Sequence, residues 1–289
     1  MPELPEVETV VRRLRLPLTG RKIRSVKILS RSVLQGPPSA FLRQVTGSII
    51  REIRRKGKFI LFVLDPPGTM ILHLKMTGQV FIEPQSAAVD RHSHLLFRFD
   101  DSDIQLRYRD VRKFGFFQYE PADRPESLSG LRRIGPDPFE TTCQKFTDLI
   151  QSKRRNIKSF LLDQTMISGL GNIYVDEALF QSGLHPLTQT GVLSKSQIQN
   201  LFRIIKKILK RAITAQGSTL RDYRKPDGTS GGFQNYHQVY GRTAEPCPIC
   251  GFLIKKIRVA GRGTHFCPSC QKLGPSAFPK NPFLRRKER

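Results

Sequence analysis

Four cysteines near the end of the chain constrain its fold more than any other feature. Cys247 and Cys250 form one C-x2-C pair, Cys267 and Cys270 form a second, and sixteen residues separate the two pairs. Two pairs at this spacing are typical of a tetrahedral zinc site of the ribbon type. The sequence therefore predicts a small metal-bound finger.

A short hairpin is predicted between the two pairs. One strand is expected over Ile254–Val259, and the tip is expected at Gly261-Arg262-Gly263. Since so small a hairpin buries little apolar surface, the metal is expected to supply its stability. The alternatives are a pair of disulfides or a redox C-x-x-C, but two matched pairs in a chain expected in the cytoplasm disfavour both. Cys143 is left over and is interpreted as a buried or incidental thiol.

The chain is strongly basic. Its 289 residues include 49 lysines and arginines and 24 acidic residues, which gives a formal net charge of +25. Such an excess indicates a polyanionic partner, and nucleic acid is the leading candidate. An acidic membrane surface is disfavoured, because the basic residues are spread along the chain and no long basic amphipathic helix is evident.

No segment resembles a membrane span or a secretory signal. The longest apolar run, Phe59–Leu64, has the length of a strand. The acidic first residues lack the basic and apolar regions of a signal peptide. We therefore expect a cytoplasmic protein.

An unusual nucleophile is expected at the N-terminus, where the chain reads Met1-Pro2-Glu3-Leu4-Pro5-Glu6-Val7-Glu8. Removal of Met1 would expose the secondary amine of Pro2, and an α-amine has a reference pKa of about 7.7 to 8.0, the lowest of the protein amines. Such an amine can attack an aldehyde-type carbon and form a charged iminium, which is an electron sink. Glu3 is a candidate acid beside it.

The same stretch predicts a helix that would hold this amine in place. Proline suits a first helical turn and acidic residues favour the positive end of a helix. The apolar face consists of Val7, Val10, Val11 and Leu14. The alternative is an ordinary acidic helix start, which spacing alone favours because such starts are common.

The chain changes character near residue 135. Before it, short β-branched or aromatic runs alternate with turns, which predicts an all-β sandwich after the first helix. The predicted strands cover residues 22–29, 48–53, 59–64, 70–74, 80–82, 95–99, 104–108 and 114–119. Residues 121–140 are rich in proline and glycine and are predicted to be a linker.

Beyond the linker the hydrophobic period becomes helical. Helices are predicted over residues 142–152, 156–163, 172–182 and 194–215. A glycine turn at residues 168–171 leads to Asn172, which is predicted to cap the third helix. The backbone N–H groups at such a helix start can bind an anion. A plain helical hairpin without an anion site fits the same residues, and both alternatives stay open. Residues 226–234 are predicted to form a mobile loop, which is either a lid over a ligand or a flexible connection.

Three side chains of the β region are candidates for insertion into nucleic acid. Met76 lies at a predicted turn, and Arg112 and Phe114 share one side of an extended segment. An apolar wedge beside an arginine can fill the gap left when a base is extruded from a duplex. Taken singly, Met76 and Phe114 are more typical of core residues. His92 and His94 make a weak metal site without a third partner, so phosphate contact or surface placement is favoured.

Six motifs together resemble those of bacterial formamidopyrimidine-DNA glycosylases and follow the same order. They are Pro2-Glu3-Leu4-Pro5-Glu6-Val7-Glu8, Arg55-Lys56-Gly57-Lys58-Phe59, His73-Leu74-Lys75-Met76-Thr77-Gly78, Arg109-Asp110-Val111-Arg112-Lys113-Phe114-Gly115, Gly169-Leu170-Gly171-Asn172-Ile173-Tyr174, and the four-cysteine finger with Gly261-Arg262-Gly263. The resemblance runs from residue 1 to about 271. Spacing alone favours an ordinary helix start at the N-terminus and core positions for Met76 and Phe114. The resemblance favours a catalytic N-terminus and a wedge instead.

The resemblance implies a multi-domain α+β protein. Its expected parts are an N-terminal catalytic β-sandwich domain with a leading helix (1–132), a helix-two-turn-helix DNA-binding domain with a lesion-recognition loop (133–236) and a zinc-finger β-hairpin (237–271). Residues 272–289 depart from the family, whose members commonly end soon after the last cysteine, and they are predicted to form a basic, disordered tail that raises non-specific affinity for DNA. One structural zinc ion is implied for the four paired cysteines. The implied partner is double-stranded DNA containing oxidised bases or abasic sites, and a monomer is expected.

By the same resemblance, the protein is a bifunctional enzyme of base excision repair. It would remove oxidised purines, chiefly 8-oxoguanine opposite cytosine and formamidopyrimidines, and then cut the strand by β- and δ-elimination. Pro2 is implied as the nucleophile that forms a Schiff base with the sugar, Glu3 as the acid for ring opening, and Glu6 as a residue that orders the site. Lys58 is implied as a proton donor or electrostatic partner near the sugar and its phosphate. Arg262 is implied to bind the phosphates beside the lesion and to assist the second elimination.

The resemblance also assigns residues that contact DNA. Met76, Arg112 and Phe114 are implied to fill the gap and to probe the orphaned cytosine. Backbone contacts are implied for His73, His92, Lys153, Lys158, Asn172 and Tyr240. The loop over residues 217–236 resembles the family segment that closes over an extruded purine.

Two alternatives remain open on the sequence. An endonuclease VIII-type enzyme shares the catalytic proline and the helical turn but prefers oxidised pyrimidines, whereas the full wedge and the loop at 226–234 favour the purine enzyme. A non-catalytic DNA-binding zinc protein fits the charge and the finger equally well, but it leaves Pro2 and Glu3 without a function.

Overall fold

A computed structural model describes residues 1–100, 102–122, 130–220 and 223–274 of the chain. The predicted tail lies outside the described residues from residue 275 onward. The chain divides into a first unit, Met1–Ile134 with Lys210–Asn235, and a second unit, Gly135–Leu209 with the chain from Tyr236. The sequence assigns residues 210–235 to the helical domain, whereas in the structure they pack with the N-terminal unit.

The first unit begins with helix α1, Leu4–Leu18, and continues into β-sheet. Its described strands are β1 (Ile23–Ile28), β2 (Ile49–Lys56), β3 (Phe59–Asp65), β4 (Gly68–His73), β5 (Gly78–Pro84), β6 (Ser93–Phe99), β7 (Ile104–Asp110) and β8 (Phe116–Pro121), and helix α2 (Pro38–Val45) lies between β1 and β2. The strands form two antiparallel sheets, in the orders β1-β6-β7-β5 and β2-β3-β4-β8.

One apolar cluster joins the two sheets and α1. Leu14 of α1, Phe97 and Tyr108 of the first sheet and Phe117 of the second sheet are all buried in it. The ring of Phe117 lies 5.3 Å from that of Phe97 and 5.2 Å from that of Tyr108, measured between centroids. The predicted β-sandwich with a leading helix is confirmed, and strand ends differ from the predicted ones by at most three residues.

The second unit is helical and ends in a hairpin. It contains α3 (Cys143–Gln151), α4 (Ile157–Leu162), α5 (Asn172–Gln181), most of α6 (Lys195–Thr214), and the strands β9 (Lys255–Val259) and β10 (Arg262–Phe266). Thr142 and Asn156 cap α3 and α4 by accepting backbone hydrogen bonds, as polar N-caps do. The predicted cap of α5 is wrong by one residue, since Gly171 is the N-cap and Asn172 is the first helical residue.

Helix α6 is long, amphipathic and basic. Its apolar side buries Ile198, Leu201, Ile205 and Leu209, and its sequence holds six lysines and arginines and no acidic residue. The prediction that the chain has no long basic amphipathic helix is therefore wrong. In the described part of the chain, every helix is too short or too polar to cross a membrane.

Candidate functional site

The start of α1 forms a buried acidic cluster around Pro2. Glu3 is the N-cap and Glu6 is the third helical residue, and the two form a capping box in which Glu6 Oε2 accepts a hydrogen bond from Glu3 N at 2.8 Å. Glu3 and Glu6 are 3% and 1% exposed. Pro2 is buried beside them. The residues predicted as nucleophile, acid and ordering group thus share one rigid helix start.

Glu6 also contacts a segment more than two hundred residues away in sequence. Its Oε1 accepts a hydrogen bond from Ser218 N at 2.7 Å, and its carbonyl oxygen lies 3.4 Å from Tyr223 OH. Both partners belong to the predicted lesion loop. One carboxylate therefore fixes this loop to the predicted catalytic helix, and no local sequence signal pointed to Ser218.

Two glycines allow the loop to approach α1. A Cβ on Gly217 would lie 2.9 Å from the side chain of Glu6, and Gly217 has a left-handed φ of +82°. A Cβ on Gly231 would lie 2.3 Å from the carbonyl oxygen of Gly217. Because side chains cannot occupy such short distances, both positions require glycine.

Lys58 lies in the turn between β2 and β3 and is only 7% exposed. Gly57 supplies the positive φ of 57° in this turn. Arg55 braces the turn by donating hydrogen bonds to Gly57 O at 3.1 Å and to Glu8 Oε2 at 3.0 Å. Burial tends to raise the pKa of Glu8, but the hydrogen bonds and charges of Arg12 and Arg55 outweigh it and lower this pKa.

His73 ends β4 and is electrically neutral. Burial lowers its pKa to about 3, with further lowering by the charges of Lys75 and Lys58. Its Nδ1 accepts a hydrogen bond from Lys75 N at 2.9 Å, so the ring proton lies on Nε2. His73 can therefore offer an N–H donor to DNA, but not a positive charge.

The three predicted wedge residues, Met76, Arg112 and Phe114, lie together at the surface. Met76 is 39% exposed and Phe114 is 52% exposed. Arg112 Nη1 lies 3.2 Å from Met76 Sδ, and Arg112 Cζ lies 4.4 Å from the centre of the Phe114 ring. The backbone differs from the prediction, because β8 starts only at Phe116 and Lys113 has a left-handed φ of 54°. Arg112 and Phe114 thus occupy a turn rather than an extended segment.

Asp110 anchors this wedge and was missed from the sequence. The residue is fully buried, and its Oδ1 accepts hydrogen bonds from Thr77 Oγ1 at 2.5 Å and Arg112 N at 3.1 Å. Its Oδ2 accepts hydrogen bonds from Gly115 N at 2.8 Å and Tyr108 OH at 3.1 Å. A single carboxylate therefore aligns the two turns that carry the wedge. An aspartate two positions before an arginine is too common a pattern to predict this.

The two histidines at positions 92 and 94 differ in their surroundings. His92 is half-buried, and Arg91 Nε lies 3.2 Å from its Nε2. His94 is buried, and its Nε2 lies 2.7 Å from Asp110 O. Neither belongs to a possible metal cluster in the described residues. His94 is thus a structural partner of the segment that carries the wedge.

Two predicted DNA-contact residues of the second unit are accessible. Lys153 is exposed in the connection between α3 and α4. Tyr240 is half-buried, and its backbone N donates a hydrogen bond to Glu177 Oε1 at 2.9 Å. Glu177 also accepts hydrogen bonds from the backbone N–H groups of residues 238 and 239, so it holds this segment in place.

The other two are engaged in contacts with the hairpin. Asn172 Nδ2 donates a hydrogen bond to Gly263 O at 2.8 Å. Lys158 is fully buried, and its Nζ lies 2.5 Å from Asp176 Oδ1. Since no part of Lys158 reaches the surface, the structure does not support the direct contact with DNA predicted for it.

The four paired cysteines converge on one point. All four sulfur atoms lie within 4.8 Å of one another, with 3.9 Å between those of Cys247 and Cys270 and 3.5 Å between those of Cys250 and Cys267. Zinc–sulfur bonds of about 2.3 Å in a tetrahedron require sulfur separations of about 3.8 Å, so this set fits zinc. Phe180 of α5 completes the apolar core of the finger, so metal is not its sole support.

Arg262 is exposed at the first position of β10. The turn before it consists of Ala260 and Gly261, whose φ angles of 51° and 71° are typical of a two-residue hairpin turn. Arg262 pairs with Val259 across this turn, so the predicted tip at 261–263 is shifted by one residue. Arg262 is thus an exposed basic residue directly after the hairpin turn.

Comparison with known families accounts for most of the chain. The formamidopyrimidine-DNA glycosylase N-terminal domain matches residues 1–117, the formamidopyrimidine-DNA glycosylase H2TH domain matches residues 134–224, and a zinc finger found in FPG and IleRS matches residues 244–273. The chain belongs to the formamidopyrimidine-DNA glycosylase family. The resemblance drawn from six motifs is thereby confirmed.

Relatives and solved structures of this family match along nearly their full length. The formamidopyrimidine-DNA glycosylase of Bacillus subtilis (strain 168) is 45% identical over 276 residues, which cover 94% of this chain and 99% of that protein. That of Ligilactobacillus salivarius is 42% identical over 273 residues, with the same coverage of 94% and 99%. A Lactococcus lactis FPG mutant in complex with a Fapy-dG containing DNA has a TM-score of 0.88 and 39% identity, and covers 94% of this chain and 100% of its own. The Lactococcus lactis Fpg with an abasic site containing DNA has a TM-score of 0.87, 39% identity and the same coverage.

Membership of the formamidopyrimidine-DNA glycosylase family determines the class of activity. The chain is a DNA repair glycosylase with abasic-site lyase activity, and its four-cysteine finger binds one zinc ion. The non-catalytic zinc protein considered from the sequence is therefore set aside. The predicted helix-two-turn-helix domain and zinc hairpin are confirmed.

Proposed function

We propose that this protein excises oxidised purines from double-stranded DNA through a Schiff base on Pro2. After Met1 is removed, the amine of Pro2 attacks C1′ of the damaged nucleotide, and the base leaves. The resulting iminium acidifies the C2′ proton, whose loss expels the 3′ phosphate by β-elimination. A second, δ-elimination then releases the 5′ phosphate. Its substrates are chiefly 8-oxoguanine opposite cytosine and formamidopyrimidines.

The buried cluster at the start of α1 carries this proposal. Glu3 follows the nucleophile directly and is the residue that protonates the sugar during ring opening. Glu6 accepts backbone hydrogen bonds from Glu3 and Ser218, which holds the helix start and the lesion loop in register. An enzyme that activates water has no use for a secondary amine at this place.

Support for damaged DNA as the substrate comes from two sources. The neighbouring solved structures are complexes with Fapy-dG and abasic-site DNA. The formal charge of +25 favours a phosphate backbone. The wedge fills the gap, while Lys58, Arg262 and the other predicted contacts except the buried Lys158 bind around the lesion. A protein that acts on this substrate is expected at the nucleoid, in the cytoplasm. It is expected to act as a monomer, because a single lesion is asymmetric.

Borohydride trapping on a duplex with 8-oxoguanine opposite cytosine tests the chemistry. The expected result is a covalent adduct that peptide mapping assigns to Pro2, which also establishes removal of Met1. Pro2→Gly is expected to lower its yield strongly, whereas Pro37→Ala, an exposed proline before α2, is expected to leave it unchanged. Tight lesion binding without an adduct contradicts the proposal. Faster cutting of thymine glycol than of 8-oxoguanine favours the pyrimidine enzyme instead.

The predicted basic tail is proposed to raise affinity for undamaged DNA. Truncation after residue 271 is expected to weaken binding to an undamaged duplex and to lower the dependence of the affinity on salt. An unchanged salt slope contradicts the proposal.

A further inference from the structure

Asp176, in the middle of α5, lies at the centre of a buried cluster that the proposed chemistry does not use. Asp176 is fully buried, and its Oδ1 lies 2.5 Å from Nζ of Lys158 on α4. Its Oδ2 accepts a hydrogen bond from His265 N at 2.9 Å and lies 3.3 Å from His265 Nδ1. A charge this deeply buried needs both a counter-charge and hydrogen bonds. Here α4 supplies the first and strand β10 supplies the second.

A second contact joins the same helices to β10. Asn172 Nδ2 donates a hydrogen bond to Gly263 O at 2.8 Å, and Lys158 Nζ lies 3.5 Å from the same oxygen. Gly263 and His265 follow Arg262 by one and three residues. The strand that begins at Arg262 is therefore held at two points by side chains of α4 and α5.

We propose that Asp176 is a positioning residue for Arg262. Its carboxylate fixes the backbone of β10 to the two helices and thereby determines where the hairpin turn presents the guanidinium to a DNA phosphate. This inference rests on the proposed phosphate contact of Arg262. Lys158 influences DNA binding as the counter-charge of Asp176, without touching DNA.

The geometry makes the position of Arg262 depend on this anchor. Arg262 is exposed and starts a strand of five residues, and the turn before it contains two. The described contacts of β10 near Arg262 include those made by Asp176, Asn172 and Lys158, together with the ring of Tyr240 against His265. A displacement of about 1 Å in a positioned group can lower a rate by about a hundredfold, so a loosened strand has a measurable effect.

Asp176→Asn tests the inference, because it preserves shape while removing the charge. Hydrogen–deuterium exchange of the amides in Arg262–Phe266 is expected to accelerate, while the zinc content stays at one per chain. Affinity for a duplex with a stable abasic-site analogue is expected to fall about tenfold or more, and the salt slope is expected to fall by about 1, as for loss of one phosphate contact. Arg262→Ala is expected to give the same loss. The double variant is expected to lose no more than either single variant, since both act through one contact.

Two matched carboxylate-to-amide changes serve as controls. Glu245→Gln removes a half-exposed charge of the finger that pairs with Arg242 at 2.7 Å, and is expected to leave β10 exchange unchanged and DNA affinity unchanged or slightly higher. Glu177→Gln, at the neighbouring buried carboxylate, is expected to accelerate exchange at residues 238–240 but not in β10. If Asp176→Asn fails to fold, the pair Asp176→Asn with Lys158→Met removes both charges and is measured in its place.

Each outcome decides the inference. Unchanged exchange in β10 overturns the anchor, and faster exchange with unchanged affinity overturns its link to Arg262. If the losses of DNA affinity add up in the double variant, Asp176 acts independently of Arg262, and the inference is also overturned. If Arg262→Ala itself leaves the affinity unchanged, the proposed phosphate contact fails and the inference falls with it. Borohydride trapping of the same variants at saturating protein separates these results from failure of the Pro2 chemistry.

Discussion

At the scale of residues, individual buried carboxylates organise the candidate site. Asp110 accepts hydrogen bonds from two hydroxyl groups and two backbone N–H groups, and Glu6 accepts them from two backbone N–H groups. An ionised carboxylate is an acceptor only, so it satisfies donors on both oxygens, which an amide cannot do. This chemistry makes both positions sensitive to the loss of one oxygen.

Asp110→Asn is predicted to lower the free energy of unfolding by about 2 to 4 kcal/mol. The amide places an NH2 group against buried donors, and each buried donor left unsatisfied costs about 1 to 3 kcal/mol. Urea unfolding measures the loss. Asp100→Asn is the control, because Asp100 is 36% exposed and lies 3.8 Å from Lys22 Nζ; a change within about 0.5 kcal/mol is expected. Equal losses in both variants contradict the anchoring by Asp110.

The buried His73 is predicted to make stability depend on pH. Its pKa is lowered from 6.5 to about 3, so between these values the unfolded chain binds more protons than the folded protein. The free energy of unfolding therefore falls as the pH is lowered from about 6.5 toward 3. His73→Asn keeps an acceptor for Lys75 N and is expected to flatten this slope. Urea unfolding from pH 5 to 7 provides the comparison, and an unchanged slope contradicts the prediction.

At the scale of elements, the close approach of the lesion loop to α1 determines which substitutions the loop tolerates. Gly217 and Gly228 both have left-handed φ values, +82° and +80°. A Cβ on Gly217 meets the side chain of Glu6 at 2.9 Å, whereas a Cβ on Gly228 meets nothing within 4 Å. A comparison of substitutions at the two positions therefore separates the effect of steric contact from the effect of left-handed backbone strain.

Gly217→Ala is predicted to slow excision of 8-oxoguanine by about tenfold or more, whereas Gly228→Ala is predicted to change it less than about threefold. Both changes introduce left-handed strain of about 1 to 2 kcal/mol. Only the first forces the loop away from Glu6 and breaks the contact with Ser218. Single-turnover excision on one duplex measures both rates. Similar rates for the two variants contradict a fixed loop.

At the scale of the whole molecule, each of the two units carries its own part of the proposed chemistry. The first unit holds Pro2, Glu3 and the wedge, and the second holds Arg262 and the zinc finger. The finger shares its apolar core with Phe180 of α5, so metal and packing both contribute to its order. Loss of zinc is therefore expected to act on the second unit first.

Cys250→Ser is predicted to abolish zinc binding and to weaken binding to lesion-containing duplex by at least tenfold. Three remaining thiolates bind zinc poorly, and the hairpin that presents Arg262 then loses part of its support. Zinc analysis and duplex titration measure the two effects. Cys143→Ser changes a thiol at the start of α3, outside the metal cluster, and is expected to leave both unchanged. Full affinity without zinc contradicts the prediction.

The zinc ligands, the helix start and the strands were predictable from the sequence because each depends on neighbours close in the chain. The cysteine pairs have a spacing that matches their metal, and alternation of apolar side chains marks strands to within three residues. Pro2, Glu3 and the wedge were identified through motifs of contiguous residues. Turn geometry was less accessible, as Phe114 and the hairpin tip show, because moving the end of an element by one or two residues leaves the apolar pattern of its interior unchanged.

The tertiary structure decided which of these groups touch. Glu6 and Ser218 are 212 residues apart, and Asp176 meets His265 across 89 residues. Lys158 is indistinguishable in sequence from the exposed Lys153, yet it is fully buried against Asp176 because α4, α5 and β10 enclose it. Local sequence patterns specify elements, whereas the surroundings of a buried charge arise only when distant elements pack together.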